Sequence, residues 1–230
     1  MSDRSRDVVL ENLAGIRRGV RTACERSGRD PTGVRVVGAG KTVEAEVLGW
    51  VVEAGIRDLG ENYVQELQVK RELVAGATWH FIGTVQRSSA HHLAELADVV
   101  ETAVPGRALD RLSRRALEAG RTLSALVEVD FTGKRTGVAP EDALDACDAV
   151  ASMPGLELDG LMTLPPLTPD AEDARPYFRR LRELLERVRE RHPQASELSM
   201  GMSLDYAVAV EEGATMVRIG TALFGERPPR

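Results

Sequence analysis

A lysine stands just beyond a short β-branched run, in Val34-Arg35-Val36-Val37-Gly38-Ala39-Gly40-Lys41-Thr42. β-Branched residues favour a strand, and Gly38 and Gly40 let backbone or ligand come close at its end. An amine at a strand mouth, sheltered enough to lose its proton, is a nucleophile that forms an imine with an aldehyde. The plain alternative for Lys41 is a solvated surface charge. Two later segments offer complementary chemistry: Ser199-Met200-Gly201-Met202-Ser203 and Arg218-Ile219-Gly220-Thr221. Each supplies a hydroxyl, a glycine and free N–H groups at a helix start, which suits a phosphate. Ser199 and Ser203, taken singly, are equally ordinary turn or cap residues.

Three further residues complete the candidate set. Arg218, at a strand end, has donors and no acceptor, so against a ring nitrogen it would leave that nitrogen unprotonated; its plain reading is a surface ion pair. Asn62 follows the second strand and Met162 ends the sixth, both placed to line a pocket, although Met162 fits core packing equally well. His80, between Trp79 and Phe81, reads as a hydrogen-bonded core histidine rather than a catalyst. Asp130 has no serine or histidine partner in its local sequence, so no hydrolase role is assigned to it.

Positioning these groups takes an alternation of strands and helices. Strands are predicted at 34–38, 56–59, 78–82, 99–102, 124–129, 156–162, 197–200 and 215–219. Helices are predicted at 7–27, 44–54, 63–74, 89–96, 106–119, 140–152, 173–191 and 204–212. The first helix shows Val9, Leu13, Ile16, Val20 and Cys24 near one face. The helix at 173–191 has an apolar stripe opposite many arginines, read as a solvated face. Eight such units with short links predict a closed (β/α)8 TIM barrel, with an open doubly wound sheet as the rival. After the eighth strand only 221–225 and a Pro-rich tail remain, so the added N-terminal helix is expected to cover the seam between strands eight and one. Barrel closure would then set Lys41 beside Gly220 and Thr221. An imine-forming amine next to a phosphate cradle suits pyridoxal 5′-phosphate (PLP) or a sugar phosphate.

Composition narrows the class. The chain has 230 residues, a net charge of −6 and 43% hydrophobic residues, and no linker divides it, so one domain over 1–230 is expected. The acidic balance argues against nucleic acid or an anionic membrane surface as partner. Cys24 and Cys147 lie in helix-like segments with no metal-ligand spacing, which suits a reducing compartment. No signal-peptide core or membrane-length apolar run is present, so a cytoplasmic protein is expected.

The ordered motifs resemble the pyridoxal phosphate homeostasis proteins (the YggS/PROSC family), which are similar to the N-terminal barrel of alanine racemases. The motifs are Gly40-Lys41-Thr42, Gly60-Glu61-Asn62-Tyr63-Val64-Gln65-Glu66, Trp79-His80-Phe81-Ile82-Gly83, Gly160-Leu161-Met162-Thr163, Ser199-Met200-Gly201-Met202-Ser203 and 217–225. The resemblance implies PLP held on Lys41 as a Schiff base, phosphate held by Ser203, Gly220 and Thr221, and Arg218 at the pyridine nitrogen. It also implies a role in vitamin B6 and amino-acid homeostasis without an established reaction. Departures from the family pattern fall at Gly40, at Ser88-Ser89 and at Arg135. The expectation is a monomeric PLP carrier with PLP-dependent apo-enzymes as partners. The alternatives are a PLP-dependent amino-acid racemase and a Schiff-base aldolase. A racemase needs acid/base groups on both faces of the cofactor, and nothing after Gly225 would form the second domain that supplies one in racemases of this type.

Overall fold

The computed structural model describes residues 5–226; the rest of the Pro-rich tail lies outside the described residues. Eight parallel strands close into a barrel in sequence order. They are β1 (Arg35–Ala39), β2 (Asp58–Glu61), β3 (Thr78–Phe81), β4 (Val99–Ala103), β5 (Leu123–Val129), β6 (Leu156–Thr163), β7 (Glu197–Ser199) and β8 (Met216–Ile219). The open-sheet alternative is excluded by the pairing of β1 with β8, in which Val37 faces Arg218 and Gly38 faces Ile219. Among the described residues the crossovers are α2 (Ala45–Glu53), α3 (Val64–Leu73), α4 (Ala90–Leu96), α5 (Arg107–Glu118), α6 (Ala143–Ala151), α7 (Arg175–Arg191) and α8 (Tyr206–Glu211). A single turn, α9 (Thr221–Phe224), follows β8.

The N-terminal helix, α1 (Arg6–Ser27), packs against α2, α8 and α9 and so covers the β8–β1 seam. Its buried stripe is Val9, Leu13, Ile16, Val20, Ala23 and Cys24. Ser5 caps its start by accepting from the Val8 N–H, and Gly28 ends it at φ 67°, where a side chain would be strained. Asn12 donates to the Leu223 carbonyl, and Arg29 donates to the Val210 and Ala214 carbonyls, tying the helix to both neighbours of the seam.

The main core lies between the sheet and the helices, and includes Trp79, Phe81 and Phe178. A smaller apolar cluster of Val37, Val99, Leu126, Met162 and Met216 comes from five different strands and fills part of the bore. The arginine face of α7 is largely solvated, as expected, with Arg179, Arg180, Arg187, Arg189 and Arg191 exposed, but its N-terminal half also serves a buried acid. Arg175, Arg179 and Arg182 converge on Glu212, which is buried, because the end of α8 brings this acid against α7. Both cysteines are buried and free. No helix among the described residues is long and apolar enough to cross a membrane.

Candidate functional site

At the C-terminal end of the strands, a cavity of about 580 Å³ is walled by loops from β1, β2, β3, β6, β7 and β8. Seven of the eight candidate residues line it: Lys41, Asn62, Met162, Ser203, Arg218, Gly220 and Thr221. The eighth, Ser199, does not line it. Its side chain is fully buried beneath Arg218, because it points into the bore one strand layer below the loop. Ile82, Leu164, Leu167, Met202, Leu204 and Ala222 also line the cavity, and their apolar types gave no chemical signal in the sequence; Asp205 lines it as well and reads there as an ordinary loop acid.

The turn bearing Lys41 is held from below. Gly40 N–H donates to the Gly60 carbonyl at 2.8 Å, and Val43 N–H closes back onto the Gly40 carbonyl at 2.9 Å. Lys70, buried on α3, donates to that same carbonyl at 2.8 Å and pairs with Glu61 and Glu66 at 2.7 and 2.5 Å. Glu66 accepts from the Thr42 N–H at 2.9 Å. Thr42 sits at φ 62°, a left-handed conformation costly for a β-branched residue, so the ion cluster holds the turn against its local preference. Burial pushes the Glu61 carboxyl up despite Lys70; Glu66 is less buried, and its bonds from Lys70 and Thr42 outweigh desolvation and hold it low. The half-buried Lys41 places Nζ 4.8 Å from the centre of the Tyr63 ring.

The opposite wall is the pair of loops after β7 and β8. Ser203 Oγ accepts from the Ala222 N–H at 3.1 Å, which fastens one loop to the other. Gly220 lies against Ala39 at the barrel seam, where an added Cβ would stand 3.6 Å from the Ala39 Cβ, so the two loops and the Lys41 turn meet at one edge. Asp205 accepts from the Met202 N–H at 2.6 Å and shapes the β7 loop; burial pushes its carboxyl up.

Arg218 forms the floor and is no surface ion pair: only 4% of it is exposed. Its Nη1 donates to Ser199 Oγ at 2.5 Å and lies 3.5 Å from Glu101 Oε2, and its Nη2 donates to the Thr163 carbonyl at 2.8 Å. His80 is the buried, hydrogen-bonded residue expected, with Nδ1 2.8 Å from Glu101 and Nε2 2.9 Å from Asp58. Burial alone would favour its neutral form, but the bonds to Asp58 and Glu101 reverse this and push its pKa up to about 9. Burial would raise Glu101, yet His80 and Arg218 hold it below the usual carboxylate range. Asp130 binds the N–H groups of Thr132 and Arg135 and so organises the loop after β5. Ser88, Ser89 and Arg135 do not line the cavity. Glu101 and Lys70 were missed in the sequence because each looks like an ordinary charge on its element.

One cavity thus joins an amine, hydroxyls on paired loops and a donor-only guanidinium. Comparison with known proteins is consistent with the barrel. Residues 12–228 match the model of the alanine racemase N-terminal domain. A pyridoxal phosphate homeostasis protein of Aquifex aeolicus is 39% identical over 224 residues, covering 95% of this chain and 98% of that one. A second, from Pseudomonas aeruginosa, is 38% identical over 95% of this chain and 96% of its own length. The solved structure of PipY from Synechococcus elongatus with PLP bound superposes with a TM-score of 0.83 at 31% identity, over 94% of this chain and 100% of that one.

Proposed function

The chain belongs to the alanine racemase N-terminal domain family and, within it, to the pyridoxal phosphate homeostasis proteins, and from that premise we propose that it binds PLP and serves PLP and amino-acid homeostasis as a carrier. The observation that carries this reading is the convergence of Lys41, Arg218, Ser203 and Thr221 on one cavity. The donor set fits the cofactor: an amine for its aldehyde, hydroxyl and N–H donors for its phosphate, and a guanidinium for its ring nitrogen. PLP supplies an aldehyde carbon that condenses with a primary amine. Lys41 is that amine in this reading; Ser203, Gly220 and Thr221 hold the phosphate; Asn62 and Met162 flank the ring; and Ser199 acts through Arg218.

A carrier is favoured over a racemase by the ionisable groups of the lining. Among the described residues these are Lys41, Asp205 and Arg218. A guanidinium does not give up its proton, Asp205 is tied into its own loop by the Met202 N–H, and no second amine, histidine or phenol among the described residues is in this lining to oppose Lys41. We place the protein in the cytoplasm as a monomer, acting as one barrel domain and exchanging PLP with PLP-dependent apo-enzymes.

The test is the visible spectrum of the purified protein before and after borohydride, with the labelled peptide mapped. The expected result is a yellow band lost on reduction, with the label on Lys41. The sequence makes the mapping clean, since its lysines are Lys41, Lys70 and Lys134. A label on Lys70 or Lys134 refutes the anchor, and no band after added PLP refutes the cofactor. Racemisation of amino acids by the loaded protein refutes the carrier role.

A further inference from the structure

The bore of the barrel holds a chain of buried polar groups that an ordinary barrel of branched apolar residues would not contain. Asp58 on β2 meets His80 on β3, His80 meets Glu101 on β4, and Ser199 on β7 donates from its hydroxyl to Glu101 Oε2 at 2.5 Å. Arg218 on β8 then donates to that same hydroxyl, which accepts one bond and gives one. His80, Glu101 and Ser199 are fully buried. Taking such charges out of water costs free energy that an apolar layer would avoid, so the chain's presence calls for a use beyond stability.

Its use is legible from where it ends. Of the Asp58–His80–Glu101–Ser199–Arg218 chain, Arg218 is the member that lines the cavity. Both of its terminal nitrogens are taken from below by groups on β6 and β7, while Nε takes no part in those bonds. Glu128 on β5 and Asp205 after β7 also bear on Arg218, but burial pushes both carboxyls up. Glu101 is the carboxylate that pairs directly with Arg218, 3.5 Å from its Nη1, and His80 holds the other oxygen of that carboxylate.

We propose that Glu101, with His80 behind it and Ser199 between, is a positioning residue that fixes Arg218 as a donor toward the cofactor ring, so that the electronic state of bound PLP is set from the bore. The inference rests on the PLP reading above. Glu101→Gln removes the charge and keeps the shape. His80→Gln keeps one donor toward Glu101, and Ser199→Ala removes the bridge alone.

The experiment loads each protein with PLP, records its absorption spectrum from about pH 5.5 to 9, and follows PLP release into a trapping apo-enzyme. Melting temperature is read in parallel. Glu101→Gln is expected to show a spectral titration that the wild type lacks and to release PLP about tenfold faster. Ser199→Ala should show the same titration with a smaller change in release, and His80→Gln should fall between. Variants that melt lower yet keep the wild-type spectrum and release rate overturn the proposal, because the chain is then structural. Should Glu101→Gln fail to fold, Ser199→Ala decides by the same criteria. A wild type that takes up no PLP overturns the underlying reading as well, whereas a loaded wild type with unchanged variants overturns this inference alone.

Discussion

Raising the pH through the range in which His80 titrates is expected to destabilise the fold by an amount that can be worked out. The side chain is fully buried between Asp58 and Glu101. Burial opposes its charge, but the two hydrogen bonds and the two carboxylate charges outweigh it and move the pKa from 6.5 to about 9. A pKa raised in the folded state gives stability that is complete below the unfolded value, where both states hold the proton. Between pH 6.5 and about 9 only the folded state keeps it. The folded state then binds one proton more, and stability falls by about 1.4 kcal/mol per pH unit. Across this window the loss is about 3 kcal/mol, a sizeable share of the total stability usual for a domain.

The window is separable from other titrations. Cys147 is pushed up to about 12 by burial, so its own contribution begins to be lost only as pH rises past 9.0, where the unfolded thiol ionises. Urea unfolding followed by circular dichroism, at fixed PLP occupancy and from about pH 6 to 9.5, measures the effect in wild type and His80→Gln. The wild-type midpoint should fall steadily through the window. The variant should start lower and stay nearly level, so that the two curves converge near the top. Parallel curves would show that His80 carries no extra proton in the folded state, and the argument for the charged chain in the bore would go with it.

Three other outcomes follow from the site. Lys41→Ala should lose the borohydride label while PLP is still retained through its phosphate; an unchanged imine band in that variant refutes Lys41 as the anchor. Thr221→Ala should weaken PLP retention by about 1.5–3 kcal/mol, the worth of a hydrogen bond to a charged group, and equilibrium dialysis with undiminished retention would remove it from the phosphate site. Lys70→Met leaves the fully buried Glu61 without its partner and should destabilise by about 3–5 kcal/mol, with most of the loss recovered by adding Glu61→Gln. A single variant as stable as wild type would mean the buried pair does not hold the Lys41 turn.

The alternation of strands and helices was legible because the crossover helices keep apolar stripes and the strands are short, mostly apolar runs, β-branched in β1, β4 and β8, set off by turn residues. The edges were less so. The second strand reads as 56–59 but forms at Asp58–Glu61, because Gly60 and Glu61 are poor strand residues whose pairing with β3 and Lys70 overrides propensity. The last crossover helix reads from 204 but starts at Tyr206, since Asp205 is spent on the Met202 N–H and Leu204 is exposed at the cavity mouth. Lys41 and the loop hydroxyls stood out locally through their glycines. Glu101 did not, because in Val99-Val100-Glu101-Thr102-Ala103 it resembles an outward charge, and only barrel closure brings it to Arg218, 117 residues away. Ser199 shared its loop's signature, yet the strand's alternation turned it into the bore.

The use of cations differs between the two ends of the barrel. All but three of the 30 basic residues are arginine. Several serve the N-terminal face, where crossover helices end with unpaired carbonyls: Arg17 caps Ala54, Arg71 and Arg121 cap Leu96 and Ala94, and Arg29 and Arg182 reach the end of α8. A planar guanidinium can satisfy two carbonyls at once, as Arg29 does, which a lysine ammonium does less well. The same preference has a chemical consequence at the other end. A guanidinium keeps its proton and does not compete for an aldehyde, whereas each surface amine would. Lys70 is buried in its ion cluster and Lys134 is exposed on the loop after β5. An aldehyde cofactor arriving at this protein therefore meets Lys41, in a cavity whose paired loops are proposed to hold its phosphate, against one exposed lysine rather than a surface full of amines.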